Sequence, residues 1–147
     1  MPSSSSSDEK FFLRLGWLAL LFFSASGVLL ELFLAYKQPF YVDASSSTRR
    51  ELLRLAHSHG GALALCCLAW AFTLPRLKAT PGNHPWTYRF ARYGLSWGSL
   101  LIPTGFALGA WGAENNDPGL GILLTPAGAF LFLLGLAGAT TAVWKQK

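Results

Sequence analysis

Cysteine is nearly absent: the 147 residues contain two, Cys66 and Cys67, and they are neighbours in an apolar run. Adjacent cysteines form neither an ordinary intrachain disulfide nor a C-x-x-C site, so a disulfide-stapled scaffold and a dithiol redox motif are both excluded. The pair reads as two small core residues. Charge is scarce too, at 13% of residues, too little to cover a conventional soluble surface. No H-x-x-E or H-E-x-x-H pattern occurs, so the zinc-protease class has no foothold, and Ser58 does not stand in a G-x-S-x-G elbow. Ser58 lies between two histidines but lacks an orienting acid nearby in the sequence. A net charge of +5 raises the question of nucleic acid. The basic residues instead cap apolar runs, with no tract of interleaved aromatics, and no nucleic-acid partner is expected.

What is abundant is apolar length. With 52% hydrophobic residues and a positive mean hydropathy, the chain reads as a small polytopic membrane protein with the lipid bilayer as its main solvent. The expected fold is all-α, a four-transmembrane-helix bundle with spans at about 11–36, 52–74, 90–112 and 120–144. Residues 1–10, MPSSSSSDEK, have nothing to bury and read as a disordered N-terminal tail before a single domain over 11–147. Lys10 and Arg14 before an apolar stretch, with Ser24-Ala25-Ser26 following, resemble a signal peptide. The apolar run continues from Val28 to Leu34, which suits an uncleaved span better.

The second span is the one to organise the others around. Thr48 and Glu51 fit the S/T-x-x-E capping box, which places its start near Thr48, and Pro75 stops it. His57 and His59 lie two to three turns inside, about where water gives way to hydrocarbon. They are about 200° apart on a regular helix. His57 shares a face with Gly60, Gly61 and Ala64, and His59 with Leu63, Cys66 and Trp70. His57 is therefore the candidate for the inward position. His84, between Asn83 and Pro85, reads as an exposed loop imidazole.

The third and fourth spans carry glycine at seven-residue spacing: Gly98, Gly105 and Gly112 in one, Gly121, Gly128 and Gly135 in the other. Such stripes let helices approach closely in lipid, where packing drives association. Pro103 interrupts the third, where a kink is expected. Lys10, Arg14, Arg76, Lys78, Arg89, Arg92, Lys145 and Lys147 fall on one side of the four spans, against Lys37, Arg49, Arg50 and Arg54 on the other. The bias puts both termini in the cytoplasm of a multi-pass protein of the cell (inner) membrane.

That orientation gathers Glu31, His57, His59, Glu114 and Asp117 toward the non-cytoplasmic face. A carboxylate near the bilayer centre costs roughly 2.5–3.5 kcal/mol and less toward the interface, so Glu31 needs a proton, a partner or water. Ser24, Gly27 and Glu31 share a face, and His57 or Arg54 is the expected partner. The two readings are a structural Glu–His pair in a non-enzymatic packing, assembly or partner-binding component, and a redox or transport component. In the second, His57 and His59 are candidate cofactor ligands for haem, and His57, His59, Glu31, Glu114 and Asp117 are candidate ligands for a transition metal. A homo-oligomer or another membrane protein is the expected partner, on the strength of the glycine stripes.

The segments Leu30-Glu31-Leu32, Tyr41, Thr48-Arg49-Arg50, Leu55-Ala56-His57-Ser58-His59-Gly60, Ile102-Pro103-Thr104-Gly105-Phe106 and Asp117-Pro118-Gly119 together resemble a group of small, uncharacterised bacterial four-helix integral membrane proteins with an A-H-x-H-G motif. The resemblance implies a multi-pass protein and transfers no reaction and no ligand. More distantly, the H-x-H pair is similar to histidine ligands in membrane haem proteins.

Overall fold

A computed structural model describes residues 4–77, 85–114 and 117–145. Four long helices dominate: α1 (Ser4–Ala35), α3 (Ser47–Thr73), α4 (Pro85–Trp111) and α5 (Leu124–Trp144). A one-turn helix, α2 (Pro39–Val42), lies between α1 and α3. No strand occurs among the described residues, where the one sheet-like pairing is an isolated bridge from Glu114 to Asp117.

Three helical stretches are long and apolar enough to cross a membrane: Ser7–Ala35, Ala44–Arg76 and Leu120–Trp144. At about 1.5 Å per residue each exceeds the roughly 30 Å hydrocarbon core. α4 has the length, but Gly94, Ser96, Gly98, Ser99, Thr104 and Gly105 dilute its apolar content, and it is not among the three. Large apolar side chains face outward on every long helix, among them Leu18 and Phe22 of α1, Phe72 of α3, Trp97 of α4 and Leu133 of α5. The most apolar eighteen residues of α1 include none that is buried. Hydroxyls turn back onto their own helices, as in Thr73 to the Ala69 carbonyl at 2.8 Å and Thr141 to the Ala137 carbonyl at 2.7 Å. Such bonds keep these hydroxyl donors satisfied in an apolar surround, whereas Thr125 Oγ1 is buried without a hydrogen-bond partner among the described residues.

The helices pack in chain order, α1 on α3, α3 on α4 and α4 on α5. The end helices α1 and α5 are not among the packed pairs, so the described residues form a row of neighbouring helices; the all-helical class expected from the sequence is met, and the contacts do not by themselves establish a four-helix bundle. Glycine explains the closest pairings. An added Cβ at Gly94 would come within 2.5 Å of the Gly135 backbone, and one at Gly98 within 2.5 Å of Phe132 Cβ. The two stripes therefore close on each other inside the chain and draw α4 and α5 into a tight pair. α1 and α3 form a second tight pair, with Gly16 against Leu68 and Gly60 against Phe23. Between the pairs, Leu63, Cys67 and Trp70 of α3 meet Ala91, Leu95 and Ile102 of α4 in one buried cluster.

Several boundaries depart from expectation. α1 begins at Ser4, so most of the serine-rich segment continues the helix instead of forming a free tail. Asp8 is held there by an ion pair to Arg92 of α4. α3 begins at Ser47 with Ser46 as its N-cap and no side-chain bond from that cap, just ahead of the start expected at Thr48. The 3-10 turn Ala44–Ser46 runs directly into the helix and leaves Thr48 already in its first turn. α1 ends in a Schellman motif: Gln38 N–H donates to the Phe33 carbonyl at 2.9 Å and Lys37 N–H to the Leu34 carbonyl at 3.1 Å. Lys37 takes the left-handed φ of 49° that this ending requires. α4 continues through Pro103, which is fully buried.

Candidate functional site

A cavity of about 670 Å³ lies between α1 and α3 where the short helix α2 crosses them. α1 contributes Ser24, Gly27, Val28, Leu30 and Glu31. α3 contributes Glu51, Arg54, Leu55, His57 and Ser58, and α2 adds Tyr41. The α1 residues are spaced by three and four, as are Glu51, Arg54, Leu55 and Ser58, so two facing helical stripes form a groove about two turns long. Its charged end lies at Glu31, Glu51 and Arg54, and its inner end at Ser24 and Ser58.

His57 is half-buried in the groove wall. Its Nδ1–H donates to the Phe23 carbonyl oxygen of α1 at 2.7 Å, an oxygen that also accepts the Ser26 hydroxyl at 2.7 Å. Since a carbonyl only accepts, Nδ1 carries a proton, and in the neutral imidazole Nε2 is then an acceptor. The ring edge fills the space that a side chain at Gly27 would need: an added Cβ there would come within 2.8 Å of both ring nitrogens. The small-residue face inferred for α1 thus exists to admit this imidazole.

The structure separates the other candidates. His59 is exposed on the opposite side of α3, with Nδ1 to its own Leu55 carbonyl at 3.0 Å and its ring 5.1 Å from that of Phe106 in α4. Glu114 and Asp117 pair through their backbones, Asp117 N–H to the Glu114 carbonyl at 2.8 Å, closing the turn after α4. Among the described residues no three His, Cys, Asp or Glu side chains converge as a metal-ligand set. Glu31 and His57 do share the groove, but no ion pair within 4.0 Å joins Glu31 to His57 or Arg54 among the described residues. Glu31 is exposed at the charged end, where water reaches it. His84 lies outside the described residues.

Three groove residues escaped the sequence reading of the site. Tyr41 reads as an interfacial aromatic, Glu51 as half of a capping box and Ser58 as a serine without a triad. The face shared by Glu51, Arg54, Leu55 and Ser58 was the available signal. Tyr41 is 3% exposed. Burial pushes its phenol above the ordinary 10.0, Arg54 and Arg50 pull it back, and Glu31 and Glu51 push it further up. The two neighbouring arginines fasten the groove's outer end. Arg50 donates to the Tyr41 carbonyl at 3.2 Å. Arg49 donates to the Ala110 carbonyl at 3.3 Å and the Ala113 carbonyl at 3.1 Å, at the C-terminus of α4. A cation there meets the negative end of the helix dipole.

Fold and groove together define an all-helical protein with three membrane-length apolar helices and a polar groove near one end of two of them. No family model, curated protein or solved structure matches the chain.

Proposed function

We propose that the chain is an integral membrane protein with four spans, α4 being the fourth, and acts as a non-enzymatic binding component whose groove between α1 and α3 receives its ligand or partner. Both termini lie on the cytoplasmic side of the cell (inner) membrane, where the Lys and Arg bias places them. The groove then opens near the non-cytoplasmic surface. One observation carries the binding reading: Glu31, Glu51 and Arg54 line one cavity beside otherwise apolar helices without an ion pair among them in the described residues. All three side chains are solvent-exposed at the mouth of the groove, so they are open to a charged ligand. The glycine stripes support this choice over self-association, because α4 and α5 cover each other's stripe.

A photo-crosslinking residue at Ser58, in intact membranes, tests the reading. The expected result is a discrete adduct that weakens in the Glu31→Gln and Arg54→Gln variants. An adduct pattern identical to that from the outward-facing position Leu133 overturns it. Topology is checked separately in a Cys66→Ser, Cys67→Ser background. A cysteine at Ser45 should label with a membrane-impermeant thiol reagent in intact cells, and one at Lys145 only after permeabilisation. The reverse pattern refutes the orientation.

A further inference from the structure

We infer that the groove between α1 and α3 holds the headgroup of an aminophospholipid, a lipid carrying a primary ammonium and a phosphate. The inference rests on the membrane reading above and names the ligand of that groove. Its charged end offers two carboxylates, Glu31 and Glu51, and one guanidinium, Arg54. Two acceptors of one sign and one donor of the other match a zwitterion, with the ammonium between the carboxylates and the phosphate on the guanidinium fork. The Nδ1 proton of His57 is committed to the Phe23 carbonyl, so in the neutral imidazole Nε2 adds an acceptor suited to the same ammonium.

Position separates a lipid from a free solute. Val28, Leu30 and Leu55 line the groove beside Glu31 and Arg54, so an occupant with a polar head and an adjoining apolar part meets both kinds of wall. α1 is an end helix of the row, and its flank of the groove is left uncovered by the other long helices of this chain. Chemistry separates lipids from one another. A trimethylated ammonium has no N–H to give to Glu31 or Glu51, and a glycerol headgroup brings an anion without a cation.

The test is native mass spectrometry of the full chain released from bilayers of equal phosphatidylethanolamine, phosphatidylcholine and phosphatidylglycerol with matched acyl chains. Retention of phosphatidylethanolamine should exceed that of phosphatidylcholine by about tenfold, the size of one charge-assisted hydrogen bond. Glu31→Gln and Arg54→Gln should each remove most of that preference, and Lys145→Gln, at the other end of the helices, should leave it intact. Equal retention of the three lipids overturns the inference, as does a preference insensitive to both groove variants. Competition by soluble phosphoethanolamine at concentrations matching the lipid overturns the lipid as the source. Should the membrane reading itself fail, alkaline carbonate would extract the protein from membranes, an outcome distinct from any lipid preference.

Discussion

The imidazole of His57 occupies the side-chain space that Gly27 leaves empty, and its Nδ1–H donates to the Phe23 carbonyl one turn away at 2.7 Å. Alanine normally stabilises a helix relative to glycine by about 1 kcal/mol, so the sign at this position is diagnostic. Gly27→Ala should destabilise the protein, because the new methyl meets the ring. In a His57→Ala background the same change should become neutral or favourable. A double-mutant cycle on thermal unfolding in detergent should return a coupling of about 1–3 kcal/mol. Additive effects would mean that the ring does not sit over Gly27.

Gly60 and Gly61 are adjacent on α3 and opposite in consequence. An added Cβ at Gly60 would lie 2.5 Å from Phe23 Cδ2, whereas at Gly61 nothing lies within 4 Å. Gly61→Ala should therefore raise stability by about 1 kcal/mol through helix propensity alone. Gly60→Ala should lower it, and Phe23→Leu should relieve part of the loss by shortening the side chain in the way. The midpoint of thermal unfolding measures both, and equal shifts from the two alanines would refute the α1–α3 register.

The pairing of α4 with α5 leaves less room to adjust. A Cβ at Gly135 would be 2.7 Å from the Gly94 carbonyl carbon, and backbone cannot rotate away as a side chain can. Gly94→Ala and Gly135→Ala should each cost more than Gly60→Ala, in the 1–3 kcal/mol range typical of overpacking. Gly98→Leu and Gly128→Leu should also lower the unfolding midpoint. Because the contact is within one chain, size-exclusion chromatography with light scattering should show the surviving folded fraction in an unchanged assembly state. A shift from oligomer to monomer with stability intact would place these glycines between copies instead.

How far the chain could be read in advance follows from the range of the forces involved. Apolar length is a local property, so the helical character of α1, α3 and α5, and the stop at Pro75, were legible. The inward position of His57 was legible from the Gly60 face. The helical course of Ser4 to Lys10 was not, since Asp8 is secured by Arg92 on another helix, 84 residues away. Nor did glycine periodicity reveal that the two stripes face each other. A seven-residue repeat states which residues share a face, while the partner depends on an antiparallel register set across a whole helix pair. Glu31 was legible as a carboxylate in need of company. Its neighbour Tyr41 was not, because it reaches the groove on α2, through the fold of the α1–α3 connection.

Tyr41 supplies a pH dependence with a definite sign. Its pKa in the folded protein is raised above 10.0, chiefly by burial. The folded state then keeps the phenolic proton at a pH where the unfolded chain has begun to lose it, so stability falls as pH rises through that window. Below about pH 10 the contribution is fully present; above it, the loss approaches but does not exceed about 1.4 kcal/mol per pH unit until the folded phenol also ionises. Lysine titrates in the same range, so the comparison is with Tyr41→Phe, which has no proton to lose. Unfolding midpoints of the two proteins between pH 8 and roughly pH 11 should run parallel up to about pH 10 and then diverge, with wild type falling faster. Parallel curves throughout would show that the phenol is as solvated in the folded state as in the unfolded one, and that α2 does not cover the groove.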